Sequence, residues 1–363
     1  MTSGHNTLYI NGRFLTQKVT GVQRFCIEVV TRLIRVIPNT VILSPRHIDN
    51  KELAKRVNAR VIGKYSGYLW EQVELPIYLK KLGSPLLLNL ANTGPLLYNN
   101  QVTTIHDLAF KRHPEWFSKK VAITYNFLIP KLAQKSRHIF TVSEFSKQEI
   151  NELLEINHNK ITVVANAVPI LVSKYHDDIH SSDLLFEERN YVLAVGSLDP
   201  RKNMIILIKA FDRIREKHGS ELILIGSESK IFRSSKELRK LLNKTGVSFT
   251  GYLSDERLRA AYKNARAFIY PSLYEGFGIP PLEAMTFGCP TCVSDIEVLR
   301  ETCGDASLYF DPKNVESITS ALDKILGDKE LSSTLKTKGQ YQVEKYDWDN
   351  SAKLLKSSIH DLI

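Results

Sequence analysis

Phe268-Ile269-Tyr270-Pro271-Ser272, then after Leu273 the run Tyr274-Glu275-Gly276-Phe277-Gly278-Ile279-Pro280-Pro281-Leu282-Glu283-Ala284, sets an apolar run, a glycine turn and a helix start in succession. A short apolar run reads as a strand. Gly276 and Gly278 permit a tight turn and close ligand approach. Pro281 suits the first turn of a helix, where its missing N–H costs nothing. Strand, glycine turn and helix make the repeating piece of an open α/β sheet, and such sheets bind ligands at the carboxyl ends of their strands. A helix start offers N–H groups to an anion, so a diphosphate fits there. Glu275 and Glu283 flank that place, and carboxylates, being acceptors only, suit sugar and ribose hydroxyls.

The same alternation runs outward in both directions. Strands are expected at 8–10, 40–43, 86–89, 102–105, 138–142 and 161–164, with helices at 21–36 and 122–134. After the polar, weakly periodic stretch 169–190, strands are expected again at 191–195, 221–225, 247–250, 267–270 and 291–293. Helices are expected at 204–217, 235–245, 254–264, 281–287 and 315–326. The fold class is therefore α/β, with two Rossmann-like doubly wound units facing across a cleft. The expected domains are 1–170, a linker at 171–190, a second domain at 191–345, and a C-terminal helix at 346–363 that packs back on the first domain.

Two further places follow strand ends. Arg201 and Lys202 come just after the strand Tyr191–Val195, in Gly196-Ser197-Leu198-Asp199-Pro200-Arg201-Lys202-Asn203. Adjacent cations there can neutralise a departing diphosphate, whose charge builds up in the transition state. His106 ends the strand Val102–Ile105. It can be a core residue bonded to a nearby carbonyl or a group aimed at a ligand. Asp107 can orient His106 or bind an acceptor.

Taken in order, these pieces resemble the retaining glycosyltransferases of family 4, which have the GT-B fold. The resemblance covers nearly the whole chain. It runs from the loop Thr20-Gly21-Val22-Gln23-Arg24 through Ile105-His106-Asp107-Leu108, Val142-Ser143-Glu144-Phe145-Ser146-Lys147 and Asn166-Ala167-Val168. It continues through the Arg201-Lys202 loop to the glutamate motif and Gly288-Cys289-Pro290. This chain departs from some members at Ser197, where they carry Arg. The resemblance implies a catalytic set of His106, Arg201, Lys202 and Glu275. It implies donor binding by Gly21, Phe277, Gly278, Ile279, Leu282 and Glu283. Glu283 would take the ribose hydroxyls and Glu275 the donor sugar near its C3 hydroxyl. Gly21 would approach the diphosphate from the first domain, and Asp107 is the candidate for the acceptor.

The pattern Leu69-Trp70-Glu71-Gln72…Leu75-Pro76 with His-Asp-Leu resembles bacterial enzymes of surface-polysaccharide assembly, such as those of O-antigen and capsule. The resemblance implies a hexose, with mannose from GDP-mannose the first choice, moved onto a lipid-linked or growing saccharide. No cofactor and no metal is expected. The competing readings are a nucleotide-sugar epimerase of the same fold and a non-catalytic sugar- or nucleotide-binding protein.

Charge and cysteine bound these readings. The chain of 363 residues carries a net +10. Residues 1–180 hold 23 Lys and Arg against 13 Asp and Glu, whereas residues 181–363 hold 26 of each, so the whole excess lies in the first half. Such a half is either a solvated basic surface or a partner for an anionic ligand or membrane face. Its cations are not interleaved with aromatics as in a nucleic-acid module, so no nucleic-acid partner is expected. Residues 1–6 are polar and no apolar run approaches a membrane span. The expected place is the cytosol, with peripheral contact on the inner face of the cytoplasmic membrane. Cys289-Pro290-Thr291-Cys292 lacks the second ligand pair of a zinc site, so Cys26, Cys289, Cys292 and Cys303 are expected to act as small apolar residues. Asp347-Trp348-Asp349 spells a metal-binding DxD, yet it stands before an amphipathic stretch and reads as a helix start capped by Asp349.

Overall fold

A strand buried on both faces has no polar face to alternate with, and the strands of this chain read that way. Ala267–Tyr270, Thr291–Ser294, Leu87–Asn89 and Gln101–Thr104 are buried along their whole length. A computed structural model of the chain describes residues 7–169, 186, 190–227, 236–242 and 246–362. The chain divides into two compact units. One is Met1–Asn166 with Asp347–Ile363, and the other is Ala167–Tyr346. Most of the expected linker lies outside the described residues.

Among the described residues the first unit holds seven strands. They are β1 (Leu8–Asn11), β2 (Thr40–Ser44), β3 (Arg60–Val61), β4 (Leu87–Asn89), β5 (Gln101–Thr104), β6 (His138–Thr141) and β7 (Ile161–Val163). All pair in parallel, in the order β3-β2-β1-β4-β5-β6-β7. The second unit holds β8 (Tyr191–Val195), β9 (Glu221–Ile225), β10 (Val247–Gly251), β11 (Ala267–Tyr270), β12 (Thr291–Ser294) and β13 (Ser307–Phe310), ordered β10-β9-β8-β11-β12-β13. Both sheets wind outward from a switch point, between β1 and β4 in one and between β8 and β11 in the other. Ligands of doubly wound sheets sit at the strand ends there.

The helices follow the amphipathic stretches, with particular differences. Gly21–Val36 is one helix over the range its periodicity predicts. The stretch expected as one helix over 204–217 is two, Met204–Asp212 and Arg215–His218, divided where buried Ile214 leaves helical φ (−117°). The helix near the glutamates starts at Ile279, two residues before the predicted start, with Gly278 as its cap at φ +104°. Asp347, not Asp349, caps the helix Trp348–Ile359, its side chain accepting from the Asn350 N–H at 2.8 Å. Asp349 pairs instead with Arg32 Nε at 2.5 Å, on the helix Gly21–Val36. Within that first unit the rings of Phe25 and Trp348 meet edge-on, which seats the C-terminal helix. All four cysteines are buried free thiols, and burial pushes them up, Cys289 and Cys303 to about 12.

Candidate active site

The second unit places its chemistry at the switch point. Arg201 and Lys202 lie in the 3-10 turn Pro200–Lys202 that follows β8, and Glu275 lies in the loop that follows β11. Because β8 and β11 are neighbours in the sheet, residues 73 apart in sequence meet. The Leu273 N–H donates to the Arg201 carbonyl at 2.8 Å, tying the two loops together. Gly196 has a packing reason as well. A Cβ there would press on the Lys202 chain at 3.3 Å, so glycine leaves the ammonium room to fold across the strand end.

Glu275 is the centre of this cluster. Its Oε1 accepts from the Lys202 ammonium and from the Tyr270 hydroxyl, the latter at 2.8 Å. Its Oε2 faces Arg201 Nη1 at 3.4 Å. Lys202 Nζ also donates to the Tyr270 oxygen at 2.6 Å, so lysine, tyrosine and glutamate close a triangle. Burial pushes the Glu275 carboxyl up, but the charges of Arg201 and Lys202 outweigh it and hold it down to about 2. Burial lowers Lys202, with Glu275 opposing that and Arg201 adding to it. Glu275 and Lys202 are 7% exposed, whereas the Arg201 side chain is 26% exposed. The arrangement is one buried carboxylate facing two cations, of which Lys202 is buried and Arg201 partly exposed, so an anion brought there would compete with Glu275 for both.

Beside it, the helix Ile279–Thr286 begins with Ile279, Pro280 and Pro281. Proline has no N–H, so the orphan donors at this helix start are those of Gly278 and Ile279. The start of the helix therefore offers two backbone donors, fewer than a helix start without prolines. Phe277 is buried, its carbonyl accepting from the Thr302 hydroxyl at 2.7 Å and its ring against Tyr346. Leu282 is fully buried, so its side chain belongs to the core. Glu283, one turn into the helix, is buried, and its Oε2 accepts from the Tyr262 hydroxyl at 2.8 Å. Tyr262 and Tyr270 are the residues sequence reasoning missed here. Each is an aromatic at a buried position, and nothing in the local pattern tells a packed phenol from one that holds a carboxylate.

In the first unit, Gly21 is the exposed first residue of its helix, with open space where a Cβ would stand. His106 is 5% exposed. Its Nε2 donates to the Leu90 carbonyl at 2.8 Å and its ring meets Phe25 edge-on. Burial lowers its pKa. The bond to Leu90 occupies one ring nitrogen and fits either of the two sequence readings. Asp107 Oδ1 accepts from the Ala109 N–H at 3.0 Å, just ahead of the short helix Ala109–Arg112.

A polar network that sequence reasoning did not find occupies the switch point of this unit. Glu71 Oε1 accepts from Asn11 Nδ2 (2.9 Å), Arg13 Nε (2.9 Å) and the Thr93 hydroxyl (3.0 Å). Asn11 also donates to Asn89 at 3.0 Å, and Arg13 Nη2 donates to Thr93 at 2.6 Å. Glu71 stands in the π-helical turn Trp70–Glu74, a distortion frequent at functional sites. Among the described residues no group of three or more His, Cys, Asp or Glu side chains is placed to hold a metal. No described helix is long and apolar enough to cross a membrane.

Solved structures share this architecture. Anabaena Alr3699/HepE in complex with UDP and glucose superposes with a TM-score of 0.74 at 15% identity, over 98% of this chain and 99% of that one. WaaG, a glycosyltransferase involved in lipopolysaccharide biosynthesis, gives 0.73 at 13% identity, over 97% and 99%. The two parallel sheets and these neighbours define the GT-B class of fold. The family model Glycosyltransferase Family 4 matches residues 19–170, and Glycosyl transferases group 1 matches residues 176–342. The O-antigen chain mannosyltransferase RfbU of Salmonella typhimurium is 30% identical over 87% of this chain and 83% of its own length. The O-antigen chain mannosyltransferase B of Escherichia coli is 30% identical over 71% and 70%. The chain belongs to glycosyltransferase family 4, and it is a glycosyltransferase.

Proposed function

We propose that this glycosyltransferase moves mannose, with retention of configuration, from GDP-mannose to a lipid-linked or growing saccharide in bacterial surface-polysaccharide assembly. The observation that carries the reading is the Arg201–Lys202–Glu275 cluster beside the two-donor helix start and Glu283. The choice of mannose rests on the relatives' names and on the loop Leu198–Asn203.

In this account Glu283, held by Tyr262, takes the ribose hydroxyls. The N–H groups of Gly278 and Ile279 take a phosphate. Arg201 and Lys202 leave Glu275 for the diphosphate and stabilise the charge that grows on it as the bond to C1 breaks. Glu275, so released, accepts from the C3 hydroxyl of the sugar. The acceptor oxygen attacks C1 from the face the diphosphate leaves, and its proton passes to the departing β-phosphate. The sugar at that moment is oxocarbenium-like, and the protein supplies position and charge. No metal is needed, because the two side-chain cations supply the charge. Gly21, His106 and Asp107 keep the roles the family resemblance implies, with Asp107 on the acceptor. The protein works at the inner face of the cytoplasmic membrane.

The test is transfer from a panel of labelled nucleotide sugars to membrane extracts carrying lipid-linked saccharides, with EDTA present and absent. Retained transfer from GDP-mannose in EDTA is the expected result. A donor turned over to an epimer without any acceptor, or no turnover of any donor, refutes the reading.

A further inference from the structure

The helix Lys119–Lys135 turns a second apolar stripe outward. Inward it packs Ala122, Leu128, Ile129, Leu132 and Ala133, which complete its share of the core. Outward it leaves Ile123 70% exposed and Phe127 56% exposed. Scattered exposed apolar residues are ordinary, but here they are framed. Lys119 and Lys120 stand at one end and Lys131 and Lys135 at the other, all four exposed. The Lys131 ammonium lies 3.6 Å from the centre of the Phe127 ring. Residues 116–143 contain no Asp or Glu at all.

The stripe extends beyond the helix. Lys135 Nζ donates to the Leu96 carbonyl at 3.1 Å, beside Leu97, which is 69% exposed. On the other flank Tyr125 lies close to Tyr68, which is next to Leu69, 51% exposed. Tyr68 in turn carries the Arg13 guanidinium over its ring at 4.6 Å, so the flank ends at the polar network of the first unit's switch point.

We propose that this face docks on an anionic lipid bilayer, with Ile123 and Phe127 entering the acyl boundary and the lysines meeting the headgroups. Apolar and aromatic tips ringed by lysine, with no acid among them, are the composition of an interfacial helix. A second copy of the chain is a poor occupant, because pairing this face with itself sets lysines against lysines. The inference rests on the proposed lipid-linked acceptor for its purpose. A face seated on the membrane and running to Arg13 brings a lipid-borne saccharide to the strand ends where the acceptor is placed.

The test is co-sedimentation of the full chain with phosphatidylcholine vesicles, with and without phosphatidylglycerol, at low and high salt. Binding is expected only with phosphatidylglycerol and is expected to weaken as salt rises. Two variant sets, Ile123→Ser with Phe127→Ser, and Lys119→Glu with Lys120→Glu and Lys131→Glu, should each weaken it by about tenfold or more. Tyr341→Ser, which removes an exposed aromatic from the second unit, should not. All variants should keep the wild-type melting temperature and hydrolyse GDP-mannose to water at the wild-type rate. No binding by the wild type, or binding that survives both sets in folded protein, overturns the proposal. So does a wild-type dimer in light scattering that Ile123→Ser with Phe127→Ser dissolves. The vesicle assay needs no donor or acceptor, so docking without transfer to lipid-linked saccharide refutes the proposed function and leaves the surface standing.

Discussion

Glu275→Gln keeps the shape of the side chain and removes its charge. The carboxylate is held at about 2 from an ordinary 4.5, a preference for the charged form of about 3 kcal/mol. Removing one partner of a buried ion pair costs about 3 to 5 kcal/mol, because the other charge is left dry and unpaired. Glutamine can still accept from Tyr270 and Lys202, so the lower end applies, and a loss of about 3 kcal/mol is expected. The sign follows from the depressed value. The contribution is whole above the unfolded value of 4.5 and fades as pH falls toward 2. The stability gap between wild type and Glu275→Gln should therefore be full at neutral pH and narrow as the solution is acidified below 4.5. Urea-dependent hydrogen exchange of the β8 and β11 amides reads the second unit alone. Adding Lys202→Met to Glu275→Gln should restore part of the loss, since it removes the stranded ammonium. A gap under about 1 kcal/mol at neutral pH, or one that acidification leaves unchanged, would rule out a strongly paired Glu275. It would mean that the carboxylate faces water and not the two cations.

Tyr262→Phe removes the hydroxyl that holds Glu283. It should raise KM for the donor by about tenfold and leave kcat within about twofold, as expected for a bond to a charged group that binds without reacting; an unchanged KM counts against Glu283 as the ribose ligand. Gly278→Ala puts a Cβ 2.6 Å from Leu299 Cδ2 on backbone at φ +104°. It should cost about 1 to 3 kcal/mol in thermal melts, and a wild-type melting temperature would show that the turn relaxes.

Much of the fold was legible because burial on both faces of a parallel sheet leaves a plain record. Tyr191–Val195 and Ala267–Tyr270 are apolar runs, and the chemistry follows each of them. Element ends were less legible, since several residues near an end can serve as cap. In Asp347-Trp348-Asp349 both aspartates suit the start, and the choice falls to Asp347 because Arg32, from a distant helix, takes Asp349. Pro281 pointed to the right helix, but Gly278, with its positive φ, sets where it begins. The motif residues Arg201, Lys202 and Glu275 do meet, as neighbouring strand ends require. Their supports were not legible. Tyr270 and Tyr262 look like core aromatics, and their phenols find Glu275 and Glu283 only through the packing of other elements. The Arg13–Glu71–Thr93 network has the same cause, because it joins a 3-10 turn, a π-helical turn and a loop that no local pattern connects.

In the proposed reaction Lys202 and Arg201 act on the diphosphate as it leaves. Lys202→Ala, assayed for turnover of GDP-mannose and for donor Kd by calorimetry, probes that role. The account predicts that turnover falls by about 10² to 10³ while Kd rises by less than about tenfold. Equal losses in turnover and in binding would contradict it, because the lysine would then be holding the ground state alone.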